Sequence, residues 1–195
     1  ILDKYDYSFP GELIAQEPAD PRDSAKLLVQ DVYGGKPIFN TFAKIIQYLP
    51  PGAVLVFNKT KVIPARLVLK KSTGGLVRAL YIGMESGPGG GAHAKFLADR
   101  RLNAGEGLWW AYSSYGVQSK KLFEVIKREG KYYLLKPFAP SGKIFDILSK
   151  YGITPIPPYI KMSPLKEKDL RKKYQTVFAQ TPGSPWRSFL QTPVY

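Results

Sequence analysis

The sequence predicts an α/β layer, barrel-like in character, interrupted by an inserted small antiparallel β-barrel, and three observations carry that expectation. A strand pattern, a helix pattern and a second strand pattern follow one another in the first 57 residues, the alternation that builds an α/β layer. From Arg66 to about Pro137 six short β-prone stretches recur between turn signals with almost no helical period, as in a small barrel or sandwich. Helical periodicity then returns after Ser141. The implied division is 1–64 for the first part of the α/β domain, 65–138 for the inserted barrel and 139–195 for the resumed α/β domain.

In chain order, Phe9 to Pro18 reads as a short helical turn started by Pro10 and stopped before Pro18, because proline suits a first helical turn and disfavours helix at the residue before it. Asp20 to Ala25 is a charged turn feeding a strand that runs through Val29 towards Val32. Arg22, Asp23 and Ser24 stand at its entrance, and composition alone reads them as a solvated turn. Tyr33 to Pro37 closes the strand. Asn40 or Thr41 caps the next helix, whose apolar Phe42, Ile45, Ile46 and Leu49 fall on one face before Pro50-Pro51-Gly52 ends it.

Val54 to Phe57 is a continuous apolar run of the kind that fills a strand buried on both faces, while Pro64 cannot sit in a central ladder. The strand is therefore expected to end near Asn58 and to deliver Asn58, Thr60 and Arg66 to the cleft between layer and barrel.

The barrel strands are expected at Arg66–Lys70, Val77–Ile82, Ala92–Ala98, Gly107–Tyr112, Leu122–Lys127 and Lys131–Leu135. Glu85 to Gly91 is a glycine-rich loop without the Gly-Lys-Ser ending of a phosphate loop, and reads as a linker. Trp109, Trp110, Tyr112 and Tyr115, near Arg100 and Arg101, have two readings: base-stacking groups for single-stranded RNA, or alternate positions of the barrel core, the second being favoured by the two-residue period of a strand.

Ser141 caps a helix with Ile144, Ile147, Leu148 and Tyr151 on one face and Gly152 as terminator. Three prolines between Ile153 and Ile160 then fix an extended backbone that presents Tyr159 rigidly. Ser163-Pro164 starts a charged helix to about Lys173, in which Lys166, Lys168, Arg171, Lys172 and Lys173 form a basic face. A charge run of this kind is a solvated face or a phosphate-contacting one.

Composition narrows the chemistry. The 29 Lys and Arg against 15 Asp and Glu leave a formal charge of +14 over 195 residues, which favours a polyanionic partner. The absence of cysteine excludes disulfides, thiolate metal sites and cysteine nucleophiles. His93 is the single histidine; a metal site or a Ser-His-Asp triad would need it, and its Gly-rich surroundings read as a solvated loop or strand edge. No apolar run approaches the roughly 18 residues of a membrane span, and the first residues do not resemble a signal peptide. The expectation is a cytoplasmic protein with neither membrane nor metal partner.

Four ordered blocks carry a family resemblance. They are Leu13-Ile-Ala-Gln-Glu-Pro18 with Arg22-Asp-Ser24 and Leu27-Leu-Val29; Leu55 to Leu67; Pro155-Ile-Pro-Pro-Tyr-Ile160; and Tyr174-Gln-Thr-Val-Phe178 with Gly183-Ser184. Together they resemble the amino-terminal half of the S-adenosylmethionine:tRNA ribosyltransferase-isomerases of queuosine biosynthesis. The resemblance implies transfer and isomerisation of the ribosyl moiety of S-adenosylmethionine onto 7-aminomethyl-7-deazaguanine in the anticodon stem-loop of tRNA, giving epoxyqueuosine. A sulfonium activates its own neighbouring carbon, so such chemistry requires a base and hydrogen-bond donors but no cofactor beyond the donor substrate.

Two departures from the family pattern stand out. Where the family has a glutamate after a Gly-Gly pair, this chain reads Gly74-Gly-Leu-Val-Arg78, and after Gly183-Ser184 it reads Pro185 to Tyr195 in place of the family's next block. The expectation is a truncated form of the enzyme with little activity alone, with a non-enzymatic RNA-binding β-barrel module as the competing class. The motif positions make Arg22, Ser24, Asn58, Thr60, Arg66, Tyr159, Tyr174 and Gln175 candidates for the substrate pocket. Arg100, Arg101, Lys168, Arg171, Lys172 and Lys173 are candidates for RNA contact. No general base is assigned.

Overall fold

The computed structural model describes residues 4, 6–87, 91–112, 119–139, 143–157, 159–160 and 164–182. The chain forms two compact units, one from Ile1–Phe57 with Ile156–Lys166 and the other from Asn58–Pro155 with Glu167–Tyr195.

In the first unit, short 3-10 turns at Gly11–Leu13 and Arg22–Ser24 precede an antiparallel pair, β1 (Lys26–Val29) and β2 (Ile38–Thr41). β1 stops short of the expected Val32. The Asp31 carboxylate accepts the Tyr33 N–H at 2.8 Å and the Asp31 carbonyl accepts the Gly34 N–H, a side-chain turn that competes with strand continuation. β2 occupies ground read as the approach to a helix. The helix itself is a 3-10 segment, Phe42–Tyr48, with Thr41 at its N-cap and no buried residue. A 3-10 helix has three residues per turn, so the i, i+4 stripe of Phe42 and Ile46 does not stay on one face.

Val54 to Phe57 does not form the expected buried strand. No strand forms between Ala53 and Lys59, and the side chains are exposed, Val54 by 86% and Val56 by 91%. A strand buried on both faces needs ladder partners at its edges and packed layers above and below. None of the other described strands pairs with it.

The second unit holds the inserted barrel. β4 (Arg66–Lys71), β5 (Leu76–Ser86), β6 (Ala92–Ala98), β7 (Gly107–Trp110), β8 (Lys121–Glu129) and β9 (Tyr132–Pro137) close in the order β4-β5-β6-β9-β8-β7. Every pairing is antiparallel, and the short connections from β4 to β5 and from β8 to β9 are of the kind that only antiparallel neighbours allow. Irregular registers at Tyr81/Gly83, Leu108/Trp109 and Val125/Lys127 bend the ladder, the usual device for closing a small barrel. The interior is filled by Leu67, Leu69, Val77, Ala79, Ala94, Phe96, Leu108, Phe123, Val125 and Leu135. Phe96 meets Tyr81 and Phe123 edge to face, the favoured aromatic geometry.

α1 (Ile144–Tyr151) adds Ile144, Ile147 and Leu148 to the same core, on the face that the sequence spacing requires. Its N-cap is Lys143 rather than the expected Ser141, which lies outside the described residues, as does Ser163 at the start of the charged helix. That helix, α2, spans Glu167–Lys173. Two-residue strands β3 (Thr60–Lys61) and β10 (Thr181–Pro182) pair in parallel.

His93 is buried where the sequence predicts a solvated loop or strand edge. It lies on β6 at 6% exposure, and its Nδ1 has no hydrogen-bond partner among the described residues. A Cβ at Gly87 would collide with its imidazole, so glycine in the linker makes room for a buried ring that composition read as solvated. Among the described residues no helix is long and apolar enough to cross a membrane.

Candidate functional site

The stretch from Asn58 to Arg66 is held by side chains and backbone from the other end of the chain. Gln175 treats Val62 as a strand neighbour would: its Oε1 accepts the Val62 N–H at 2.7 Å and its Nε2 donates to the Val62 carbonyl at 2.9 Å. The Gln180 N–H donates to the Lys59 carbonyl at 2.9 Å. Asn58 folds back locally, its Oδ1 accepting the Thr60 N–H at 2.8 Å, an Asx turn that sets the direction of the chain into β3. Arg66 exchanges both backbone hydrogen bonds with Ile153, at 3.1 and 2.7 Å. The candidates Asn58, Thr60, Arg66 and Gln175 therefore belong to one continuous scaffold, and Tyr174 precedes Gln175 with its N–H bonded to the Leu170 carbonyl.

α2 is oriented by a second cluster. The Glu167 carboxylate accepts the Thr154 N–H at 3.0 and 3.1 Å, the Thr154 hydroxyl at 2.9 Å and the Arg171 Nε at 2.8 Å. The other two guanidinium nitrogens of Arg171 donate to the Ser149 and Gly152 carbonyls at 2.9 and 2.6 Å. These carbonyls belong to the end of α1, whose last C=O groups lack helical partners. Gly152 is buried against this scaffold. A Cβ there would overlap the Pro64 and Leu148 carbonyl oxygens, so the residue is glycine because two backbones meet, and its φ of −77° is ordinary.

The remaining candidates divide cleanly. Ser24 donates its hydroxyl to the Pro21 carbonyl at 2.7 Å within the Arg22–Ser24 turn. Tyr159 is about half exposed, and with Arg22 and Ser24 it falls in the first unit, whereas Asn58, Thr60, Arg66, Tyr174 and Gln175 fall in the second. Arg100 and Arg101 are exposed on the segment between β6 and β7. Lys168, Lys172 and Lys173 are exposed on α2, while Arg171 has its guanidinium committed to Glu167 and α1.

The aromatic cluster is split by strand alternation. Trp110 turns inward, packs against the core and meets Tyr151 at 5.0 Å. Trp109 turns outward, directly opposite Lys70 on β4 and Lys121 on β7's other neighbour, β8. Tyr112 is exposed and Tyr115 lies outside the described residues.

The barrel surface carries ion pairs that tune their members. Hydrogen bonding to Lys121, followed by its positive charge, holds the Glu124 carboxyl below its ordinary pKa. A hydrogen bond from Lys127 does the same for Glu129. Lys95 is raised by its hydrogen bond to Glu85.

Sequence reasoning missed Glu167 as the organiser of α2 and assigned Arg171 to RNA. The i, i+4 spacing of Glu167 and Arg171 was the available signal; their bonds to α1 and Thr154 depend on tertiary structure.

A family model for queuosine biosynthesis protein matches residues 2–186. The chain is 40% identical over 184 residues to an S-adenosylmethionine:tRNA ribosyltransferase-isomerase of Rubrobacter xylanophilus, covering 93% of this chain and 49% of that protein. It is 39% identical over 190 residues to the enzyme of the same name from Fusobacterium nucleatum, covering 92% of this chain and 48% of the relative. The crystal structure of an S-adenosylmethionine tRNA ribosyltransferase from Thermotoga maritima is 27% identical, with a TM-score of 0.32 over 91% of this chain and 56% of that one. The chain thus spans about half the length of the curated relatives it matches.

Proposed function

The chain belongs to the queuosine biosynthesis protein family, and we propose that it acts in tRNA modification as part of an S-adenosylmethionine:tRNA ribosyltransferase-isomerase. The ribosyl moiety of S-adenosylmethionine is transferred to 7-aminomethyl-7-deazaguanine in the anticodon stem-loop and rearranged to the epoxycyclopentanediol of epoxyqueuosine, with adenine and methionine leaving. The observation that carries this reading is the family match, which runs through nearly the whole chain rather than through one motif.

The chemistry suits the residues present. The sulfonium makes its adjacent carbon acidic and its methionine a leaving group, so the protein's work is to orient two substrates and place donors and a base. In this reading Asn58, Thr60, Arg66, Tyr174 and Gln175 line or support a substrate pocket in the second unit, and Arg22, Ser24 and Tyr159 are substrate-contact candidates within the first. The formal charge of +14 supplies attraction for tRNA, whose target base must leave its stack to react.

The test is ribosyl transfer from radiolabelled S-adenosylmethionine to tRNA bearing the deazaguanine base. It is run with the 195-residue chain alone and with a polypeptide matching the rest of a relative's length. Little transfer by the chain alone and recovered transfer with the added polypeptide are expected; no recovery, with no binding of S-adenosylmethionine, would refute the assignment. A closed barrel with its own core favours a second reading, a non-enzymatic RNA-binding module. That reading predicts RNA binding with no affinity for S-adenosylmethionine.

A further inference from the structure

Strand alternation places an indole between two lysines on the outer wall of the barrel. In the registered ladder Trp109 stands opposite Lys70 of β4 and opposite Lys121 of β8. Directly opposed residues in antiparallel strands share a face, with strands about 4.8 Å apart. Lys70 is exposed and makes no ion pair among the described residues. The six-membered ring of Trp109 lies over Gly107: a Cβ at that glycine would stand 2.6 Å from Trp109 Cη2 and 3.2 Å from Lys121 Cε. The missing side chain therefore lets the indole lie back on the sheet, half-buried, with part of its ring surface in water.

The surrounding charges are mixed but net positive. Lys121 pairs with Glu124 at 2.8 Å and its ammonium sits 4.5 Å from the Phe138 ring centre. Lys136 faces Glu124 from β9. Three lysines against one glutamate surround an aromatic surface.

We propose that this wall, Lys70, Trp109 and Lys121 over Gly107, is a stacking platform for an unpaired nucleotide of single-stranded RNA. The indole takes a base and the two lysines take the flanking phosphates. An aromatic face accepts any base, and cations beside it follow the backbone, which is how sequence-tolerant single-strand sites are built. The inference rests on the reading of the chain as tRNA-acting, and adds to it residues other than those proposed for the substrate pocket.

The test is fluorescence anisotropy of the full chain with a labelled 12-nucleotide single-stranded oligoribonucleotide and with a blunt RNA duplex of equal length. Trp109→Ala is expected to weaken single-strand binding about tenfold and to leave the duplex unchanged, as loss of one stacked base requires. Trp109→Phe is expected to retain most of the affinity, and Gly107→Ala, which displaces the ring, to lose it. Lys70→Ala is expected to weaken both RNAs and to reduce the salt slope by about one. Thermal unfolding of each variant separates a folding defect from a binding one, and Lys70→Ala, at an exposed position, keeps the test open if the tryptophan variants unfold. Wild-type affinity in Trp109→Ala and Lys70→Ala overturns the platform while leaving the tRNA reading intact. Failure of the unaltered chain to bind either RNA overturns both.

Discussion

Gln175 and Val62 stand 113 residues apart in sequence and bond as if they were neighbours in a sheet, with the side-chain amide matching the backbone N–H and C=O at 2.7 and 2.9 Å. Val62 lies between β3 and β4, outside any strand pairing among the described residues, and the glutamine side chain meets both its N–H and its C=O.

Gln175→Ala leaves a partly buried donor and acceptor without that partner, and each such loss costs about 1–3 kcal/mol. A lower midpoint in urea with an unchanged slope is expected. Gln175→Glu still accepts but cannot donate, so it is expected to fall between the two. Equal stability of all three proteins would show that the pairing contributes nothing, and would return Gln175 to the substrate pocket as its main role.

Arg171 and Lys172 are adjacent in sequence and differ in what they touch. Arg171→Ala removes bonds to Glu167 and to the Ser149 and Gly152 carbonyls, and is expected to lower the melting temperature by several degrees. Arg171→Lys does not rescue it, because an ammonium cannot reproduce the planar fork. Lys172→Ala, at an exposed position, is expected to leave melting unchanged and to weaken RNA binding in a salt-dependent way. Identical melting of the Arg171 and Lys172 variants would contradict the assignment.

The barrel was legible in the sequence because its signal is local. Alternation from Arg66 to Pro137 and the turns between strands locate all six, to within a few residues of their observed ends. α1 was legible for the same reason, its buried face being an i, i+3, i+4 stripe. What local pattern cannot carry is partnership. Val54 to Phe57 has the composition of a central strand, and a strand is made by its neighbours. Arg171 has the composition of a phosphate ligand, and its actual partners are two carbonyls and a carboxylate set by the packing of α1 on α2. His93 was misread because burial beside Gly87 depends on the hairpin, not on the flanking glycines as such.

Gly152→Ala tests the meeting of backbones directly. The added methyl overlaps the carbonyl oxygens of Pro64 and Leu148, neither of which is a flexible side chain, so the end of α1 must move away from the entrance to β4. Loss of the Arg66–Ile153 hydrogen bonds is expected, seen as increased amide exchange at those two residues, together with a fall in stability of about 1–3 kcal/mol. Unchanged exchange at Arg66 and Ile153 would mean that the helix end yields without consequence.

Glu129 gives a pH dependence with a defined sign. Its carboxyl is held below the ordinary value, chiefly by the hydrogen bond from Lys127. A group depressed in the folded state contributes stability that is present above its unfolded pKa, about 4.3, and is lost as pH falls through its folded pKa. Glu129→Gln is therefore expected to melt below the unaltered protein at pH 7, with the gap closing as pH drops below about 4. Exposure keeps the gap small and salt narrows it further. A gap that is constant from pH 7 to pH 3 would show that the pair does not act through charge.

Val54 to Phe57 yields the last expectation. Four consecutive apolar side chains are exposed, the least of them by 50%, and contiguous apolar surface of this kind binds hydrophobic dyes and other apolar surfaces. The unaltered chain is expected to enhance the fluorescence of anilinonaphthalene sulfonate at neutral pH while the barrel remains cooperatively folded. Val54→Asp with Val56→Asp is expected to abolish most of that enhancement and to leave thermal unfolding of the barrel within about 0.5 kcal/mol, since these are surface substitutions outside its core. A large loss of barrel stability in the double variant would instead show that the apolar run is packed in solution, as a strand with partners would be.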